Sequence, residues 1–208
     1  MNRSTGSRSG WFLPVVAASL LTGAVAADAD VGAVRVLMET EYGDIVIEVY
    51  PDRAPVTAGN FLRYVDGGHY DGATFYRTVT YENDNGNPKI EVIQGGIGDA
   101  EAPYEPIAHE TTEQTGIRHT DGVISMGRGD VGTAASEFFI CIGDQPGLDF
   151  GESRNPDMQG FAAFGRVLSG MEAVHRIHAL PSDAPADNAY LEGQMIESPA
   201  VIRRAQRQ

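Results

Sequence analysis

Short apolar runs bounded by glycine dominate the sequence from residue 33 onward, and they limit the chain to a mainly β fold. The first two runs alternate apolar and polar residues around Glu41-Tyr42-Gly43, which predicts a hairpin. The predicted strands are residues 33–40, 44–50, 74–79, 90–94, 122–127, 136–142, 161–167 and 200–205. Because these strands do not alternate regularly with helices, the sequence favours an antiparallel barrel or sandwich over a parallel sheet.

Two segments have the 3.6-residue spacing of apolar side chains that predicts an amphipathic helix. The first covers residues 56–65 and ends at Gly67-Gly68, and the second covers residues 171–178. The polar stretch at 81–88 and the acidic stretch at 151–159 predict loops, and the acidic stretch has the character of an insertion.

The N-terminus has the pattern of a secretory signal peptide. Two arginines and no acidic residue precede a short apolar run, and small residues at alternate positions follow it. The alternative is a membrane anchor, but the run contains Pro14 and is shorter than the about 20 residues that span a bilayer. We expect cleavage after Ala26 or Ala27 and a periplasmic or secreted product. The chain then comprises a signal peptide at 1–26, a flexible lead-in at 27–32 and one domain at 33–208.

The composition excludes several classes of function. The 208 residues contain 15 Lys+Arg and 29 Asp+Glu, for a net charge of −14. A chain this acidic repels the phosphates of nucleic acids. Its one cysteine excludes an internal disulfide framework and a cysteine-rich zinc module. We expect no nucleic-acid partner, no membrane association once the signal is removed, and a monomer.

Partial matches to catalytic and metal-binding motifs each fail at a required residue. The segment that begins at His109 resembles a zinc-protease helix, but Glu113 stands where the second histidine belongs. Gly96-Ile97-Gly98 lacks the following small residue of a dinucleotide fingerprint, and the stretch around Ser125 lacks the first glycine of a nucleophile elbow. A calcium-loop alignment puts Tyr81 at the first ligand position. The sequence therefore predicts no metal and no cofactor.

Five segments occur in an order that resembles one known family. They are Phe75-Tyr76-Arg77, Val92-Ile93-Gln94-Gly95-Gly96, Ser125-Met126, Ser136-Glu137-Phe138-Phe139-Ile140 and Phe161-Ala162-Ala163-Phe164-Gly165-Arg166-Val167. Each segment alone is weak evidence, but their joint order and spacing are specific. From about Val34 to its end, the sequence resembles the cyclophilin family of peptidyl-prolyl cis/trans isomerases, in its bacterial exported form. The resemblance implies a closed eight-stranded antiparallel β-barrel capped by two α-helices, with a substrate groove on its outer face.

Isomerisation of an X–Pro bond needs neither a nucleophile nor a metal. Amide resonance sets a barrier of about 18–20 kcal/mol. A site lowers this barrier by preferring the twisted amide, whose nitrogen lone pair can accept a hydrogen bond. An arginine suits this role because it is permanently charged and rigidly forked. Arg77 lies in a predicted strand, and strand alternation predicts that it points to the opposite face from Tyr76.

The resemblance also assigns roles to individual residues. Arg77 corresponds to the family's catalytic arginine, and Gln94 to the glutamine that binds the substrate backbone and orients the arginine. Phe139 corresponds to the aromatic floor of the proline pocket. For Val92, Phe139 and Leu148, simple core packing is the alternative. The residues expected to bind substrate are Phe75, Val92, Gly127, Arg128, Gly129, Glu137, Phe139, Leu148 and Phe161.

Several positions depart from the family pattern. Glu91 stands where a phenylalanine often lines the pocket. One alternative is that Glu91 turns outward and that Ile90 or a loop residue takes the place of the phenylalanine. The other is that the pocket is more polar than in the family. Gly147 stands where many members carry a tryptophan that hydrogen-bonds cyclosporin, so we expect weak cyclosporin sensitivity. The other substitutions are Glu137 for a glutamine, Phe161 for a histidine and Arg128 for an asparagine.

The sequence thus predicts an exported enzyme that isomerises X–Pro bonds in unfolded or partly folded polypeptides. Uncatalysed, this step takes tens of seconds or longer. The alternative is a proline-peptide-binding chaperone module on the same barrel with little catalysis, for which Glu91, Glu137 and Arg128 leave room.

Overall fold

The computed structural model describes residues 1–2, 32–98 and 100–208, so the predicted signal peptide lies almost wholly outside the described residues. Within this part of the chain, no helix is long and apolar enough to cross a membrane. The elements are β1 (Val34–Thr40), β2 (Gly43–Val49), α1 (Pro55–Asp66), β3 (Thr74–Val79), β4 (Val92–Gly96), α2 (Thr112–Thr115), β5 (Val123–Met126), β6 (Phe138–Cys141), β7 (Ala162–Ser169), α3 (Met171–His178) and β8 (Met195–Arg207).

The strands form one closed antiparallel barrel. Their order around the barrel is β1-β2-β7-β5-β6-β4-β3-β8, and β8 pairs with β1 to complete the ring. Closure gives every strand two hydrogen-bonded neighbours and leaves no free sheet edge. The predicted fold class, a closed eight-stranded antiparallel barrel, is confirmed. Besides the two predicted helices, α1 and α3, the described part of the chain contains a short third helix, α2.

Helix α1 packs its aromatic residue Phe61 into the barrel core. The Phe61 ring meets Phe138 edge-on at 5.7 Å between centroids and lies 4.9 Å from Phe164. All three side chains are fully buried. Helix α3 buries its Val174 and Ile177 side chains against the same core. Burial of apolar surface on both helices holds them to the barrel.

The start of α1 is capped by a distant carboxylate. Ala54 offers no capping side chain, and Pro55 occupies the first turn. The Glu110 carboxylate instead accepts hydrogen bonds from the backbone N–H groups of Val56 (3.1 Å) and Thr57 (2.7 Å). Negative charge at a helix N-terminus is favourable, and these bonds satisfy two donors that lack helical partners. The contact fixes the long β4–α2 connection against α1.

Two elements differ from their sequence prediction. Helix α2 has only four residues, too few for a periodic apolar stripe, although Thr111 and Gln114 form a capping box that the sequence spacing displays. Strand β8 spans 13 residues where 200–205 were predicted. Pro199 lies in β8 where the register with β3 shifts. A proline is tolerated there because the missing backbone N–H is not needed for a hydrogen bond between the strands.

Candidate active site

A β-bulge in β3 sets the direction of the Arg77 side chain. Phe75 pairs with Gly95 and Arg77 pairs with Gln94, so Tyr76 is an extra residue in β3. The side chains of Tyr76 and Arg77 both contact the side chain of Gln94, which places them on the same face of the sheet. The prediction that they point to opposite faces is therefore wrong, because an extra residue breaks the two-residue alternation of a strand.

Two neutral amides hold the Arg77 guanidinium. Its Nη1 donates to Gln94 Oε1 at 2.8 Å, while Nε and Nη2 donate to Gln194 Oε1 at 2.9 and 2.6 Å. Within the described part of the chain, no carboxylate forms an ion pair with Arg77. Burial lowers the pKa of Arg77 from its very high usual value, but an arginine remains protonated in proteins. The site thus contains a fixed cation that has no direct acidic partner among the described residues.

Gln194 was not anticipated from the sequence. It lies in the segment before β8, is fully buried, and donates its Nε2 to the backbone carbonyl of Asn83 at 2.8 Å. That bond fixes which atom of the Gln194 amide faces Arg77. A single glutamine in a loop carries no pattern that would mark it, because its partner is 117 residues away in the sequence.

A hydrogen-bond chain continues from Gln94 away from Arg77. Gln94 Nε2 donates to the Tyr76 hydroxyl at 2.8 Å, and that hydroxyl donates to Glu137 Oε2 at 2.6 Å. Burial raises the pKa of Glu137, and hydrogen bonds from Tyr76 and Ser136 oppose this shift. Burial and the nearby Glu137 carboxylate raise the pKa of Tyr76. The chain orients the Gln94 amide so that its oxygen faces Arg77.

Arg77 and Gln94 line a cavity of about 380 Å³ that has an apolar floor. Val92, Phe139 and Leu148 form a buried cluster beneath it, and Phe161 meets Phe139 edge-on at 5.3 Å between ring centroids. A small apolar ring that enters the cavity therefore contacts aromatic and aliphatic carbon while it lies near the guanidinium. The predicted residues that line this cavity are Arg77, Val92, Gln94, Gly127, Arg128, Gly129, Phe139, Leu148 and Phe161.

The remaining two predicted residues lie elsewhere. Phe75 is fully buried inside the barrel, where it meets Phe138 at 5.6 Å, because it precedes the bulge and still follows the inward alternation. Its assignment to substrate binding is wrong. Glu137 lines a smaller adjoining cavity of about 220 Å³ and is absent from the lining of the main cavity. Its carboxylate accepts hydrogen bonds from Tyr76 and from the Gly98 N–H.

Comparison with known proteins identifies the family. The family model described as "Cyclophilin type peptidyl-prolyl cis-trans isomerase/CLD" matches residues 35–201. The chain belongs to the cyclophilin family. The curated peptidyl-prolyl cis-trans isomerase A of Dickeya dadantii is 31% identical over 91% of this chain and 96% of its own length. Peptidyl-prolyl cis-trans isomerase B of Escherichia coli is 32% identical over 76% of this chain and 96% of its own length.

The fold is also shared with solved cyclophilin structures. A crystal structure of a Cryptosporidium parvum cyclophilin type peptidyl-prolyl cis-trans isomerase has a TM-score of 0.65 and 20% identity, and covers 85% of this chain and 98% of that one. A structure of the same protein in the presence of the dipeptide Ala-Pro matches equally well. Family membership classes the chain as a peptidyl-prolyl cis-trans isomerase.

Two departures from the family pattern have a structural explanation in this cyclophilin. Ile90 lines the cavity and is buried, whereas Glu91 does not line it, so Ile90 takes the apolar position as one of the two alternatives predicted. At Gly147, a Cβ atom would stand 2.5 Å from Pro88 Cγ. Pro88 occupies the space that a side chain at position 147 would need, so the path of the β3–β4 loop and Gly147 depend on each other.

Loop residues outside the predicted set of site residues form part of this cyclophilin's cavity rim. The predicted insertion contributes Arg154 and Asp157, and the segment before β8 contributes Tyr190. The Arg128 guanidinium donates to both carboxylate oxygens of Asp157, at 2.8 and 2.9 Å, and joins the loop after β5 to the insertion. Insertions carry no periodic pattern, and only their contacts in three dimensions show that they reach the site.

A buried polar cluster supports the floor of the cavity. His119 Nδ1 lies 2.9 Å from Asp149 Oδ1, and Nε2 lies 3.0 Å from Ser125 Oγ. The imidazole stacks on Phe139 at 5.9 Å with 17° between the ring planes. Burial lowers the pKa of His119, and this outweighs the opposing effect of the hydrogen bond and charge of Asp149. The cluster fixes the position of the Phe139 ring from below.

No group of histidine, cysteine and acidic residues among the described residues could hold a metal ion.

Proposed function

We propose that this cavity catalyses cis/trans isomerisation of X–Pro bonds and that its clients are exported proteins that are still folding. One observation carries the catalytic part. Arg77 is clamped by Gln94 and Gln194 beside an apolar floor, with no carboxylate partner in the described chain. A cation held in this way is ready to donate a hydrogen bond before a substrate arrives.

The proposed mechanism is non-covalent. A proline ring packs on Phe139 and the neighbouring apolar side chains, which fixes one side of the X–Pro bond. As the bond twists, its nitrogen loses conjugation and becomes a hydrogen-bond acceptor, which the planar amide nitrogen is not. Arg77 therefore stabilises the transition state more than either ground state, and this difference is what accelerates a reaction. Gln94 and Gln194 act by keeping the guanidinium from turning away.

The assay is isomerisation of a short X–Pro peptide by residues 27–208. Replacement Arg77→Ala should lower kcat/KM by about 10²-fold or more, the usual effect of removing one preorganised donor. Arg77→Lys should recover little of this loss, because an ammonium is a point charge without the planar fork that two amides hold here. The matched control is Arg207→Ala, which removes a surface arginine paired with Asp66 and should leave the rate unchanged.

The same proteins separate catalysis from binding alone. A proline-peptide-binding chaperone module would suppress aggregation of an unfolded client without accelerating isomerisation. If folded Arg77→Ala is as fast as wild type, Arg77 has no role in the mechanism. If wild type binds the peptide but does not accelerate its isomerisation, the proposed function is refuted. The aggregation assay then shows whether the chaperone alternative holds.

The location outside the cytoplasm rests on the sequence of the first 26 residues. Their basic start, short apolar run and small residues at the end are typical of a cleaved signal. Trp11 is the only tryptophan in the chain, so cleavage after Ala26 leaves a product with tyrosine fluorescence and no tryptophan emission. Expression of the full chain in a bacterial host should give such a product in the periplasmic fraction, with its new N-terminus read by mass spectrometry. A full-length product in the cytoplasm would refute export.

A further inference from the structure

We propose that Tyr190 is a specificity-determining residue, which packs its ring against an apolar or aromatic client side chain next to the proline. This inference rests on the proposed function and adds to it the kind of residue that the cavity prefers beside the proline.

Tyr190 forms part of the cavity wall next to the catalytic guanidinium. It lines the same cavity as Arg77 and Phe139, and Arg77 Cζ lies 5.6 Å from the centroid of its ring. The Tyr190 side chain is nevertheless 46% exposed. A proline ring on the Phe139 floor would place its neighbouring residues within reach of this ring. Large aromatic surface beside a binding cavity contributes to affinity when a ligand covers it.

The Tyr190 hydroxyl is held by an anchored arginine. Arg154 Nη2 donates to the hydroxyl at 2.7 Å. Arg154 itself donates to both carboxylate oxygens of Asp84, at 2.7 and 2.8 Å, and to the carbonyl of Pro88 at 2.6 Å. The Arg154 and Asp84 side chains are 3% and 0% exposed. The hydroxyl of an exposed tyrosine is thus attached to a buried ion pair.

The main chain that carries Tyr190 is held as well. Asn85 Nδ2 donates to the backbone carbonyl of Tyr190 at 3.2 Å and to that of Glu192 at 3.1 Å. Asn83 Nδ2 donates to the Gly193 carbonyl at 2.8 Å. Backbone and hydroxyl are therefore both fixed before a client binds. A side chain held in its bound position loses little conformational entropy on binding, so its contact adds to affinity at low cost.

The charges at the rim favour an apolar over an acidic neighbour of the proline. Arg128 forms a bidentate salt bridge with Asp157, and Arg154 forms one with Asp84. Neither of these guanidinium groups is therefore free to attract a client carboxylate, Arg77 is directed at the X–Pro nitrogen, and Asp130, which also lines the cavity, adds negative charge to its wall. The half-exposed Tyr190 ring is then the feature that can discriminate between client side chains.

The test compares kcat/KM for peptides that carry Phe, Ala or Glu on either side of the proline. The enzymes are wild type, Tyr190→Phe, Tyr190→Ala and a matched control, Tyr81→Ala. Tyr81 is 47% exposed, close to the value for Tyr190, but it does not line the cavity. Ratios between peptides are compared because a general loss of activity or folding cancels in them. Thermal unfolding of each variant confirms that it folds.

At one of the two flanking positions, wild type should prefer Phe over Ala by about 2- to 10-fold, the range for one aromatic contact. Tyr81→Ala should keep this ratio, Tyr190→Phe should keep most of it because the aromatic surface remains and only the hydroxyl anchor is lost, and Tyr190→Ala should bring it close to one. The proposal is overturned if Tyr190→Ala keeps the ratio, if wild type shows no preference at either position, or if wild type prefers Glu. A wild type inactive on every peptide would instead refute the proposed function itself.

Discussion

Replacement of Gln194 by methionine tests whether Arg77 acts because it is clamped. Methionine has nearly the volume of glutamine but offers no oxygen acceptor. The change removes the acceptor for Arg77 Nε and Nη2 and leaves the 2.8 Å bond from Nη1 to Gln94. Gln194 does not line the cavity, so the variant alters the position of the guanidinium without removing a wall of the site.

The expected magnitudes follow from these contacts. A buried donor that loses its acceptor costs about 1–3 kcal/mol, and more when it is charged, so the free energy of unfolding should fall by about 2–3 kcal/mol. A preorganised donor contributes about 10²–10³ in kcat. Because Arg77 keeps its charge and one hydrogen bond, we expect a loss of about 10-fold in kcat, which is about 1.4 kcal/mol of transition-state stabilisation. KM should change by less than about 2-fold, because ground-state binding is untouched.

The control must remove an equivalent buried amide that does not line the main cavity or contact Arg77. Asn60 is 4% exposed, accepts a hydrogen bond from Arg63 at 2.8 Å and donates to the Ala135 carbonyl at 2.6 Å. Asn60→Leu should therefore lose comparable stability and keep the wild-type kcat. Isomerisation kinetics and denaturant unfolding are measured on both variants. An unchanged kcat in Gln194→Met, or an equal loss in Asn60→Leu, would refute the argument that the clamp matters.

Two further predictions concern pH and inhibition. The folded pKa of His119 is lowered, so below pH of about 6.5 the unfolded chain binds a proton that the folded chain does not, and the free energy of unfolding should fall. Below pH of about 4 a second fall should follow, because hydrogen bonds, chiefly from Arg154 to Asp84 and from His119 to Asp149, lower the folded pKa of both carboxyls in spite of their burial. Denaturant unfolding against pH measures both, and a His119→Gln variant that keeps the first fall would contradict the assignment. Cyclosporin should inhibit weakly, because Pro88 fills the space beside Gly147 that a tryptophan would need; an isomerase assay that shows inhibition at nanomolar drug would contradict this.

The strands were predictable from local sequence, whereas the closed barrel and the floor of the site were predicted from the resemblance to the cyclophilin family. Glycine-bounded apolar runs gave most strands to within a few residues, and β3 and α3 were predicted at the residues where they occur. The resemblance placed Arg77, Gln94 and Phe139 in one site, and the structure brings them together because they lie on β3, β4 and β6, which are neighbours in the barrel. Strand pairing thus makes residues that are distant in the sequence neighbours in the folded chain.

The face of Arg77 and the clamp behind it were not predictable in the same way. Side chains alternate between the two faces of a sheet only where each residue of a strand pairs with one residue of its neighbour. The bulge at Tyr76 adds an unpaired residue to β3 and breaks this alternation. Regular alternation would also put Phe75 on the same face as Arg77. Because the bulge lies between them, Phe75 faces the barrel core instead. Gln194 and Tyr190 reach the site from an irregular segment, and their position depends on contacts with Asn83 and Arg154 that only the folded chain brings together.

The structure separates the chemistry of the site from the part of it that we propose selects clients. Arg77 and Gln94 lie on paired strands of a closed barrel, where movement of one strand would disturb hydrogen bonds on both sides. The rim lies on loops, and the insertion closes on itself where Gly151 N donates to the Met158 carbonyl at 2.8 Å. A surface loop with closed ends can change length at small entropic cost and without a change of strand register. Substitutions at the rim, as at Tyr190, should therefore shift the preference among clients, whereas substitutions at the clamp should change the rate for all of them alike.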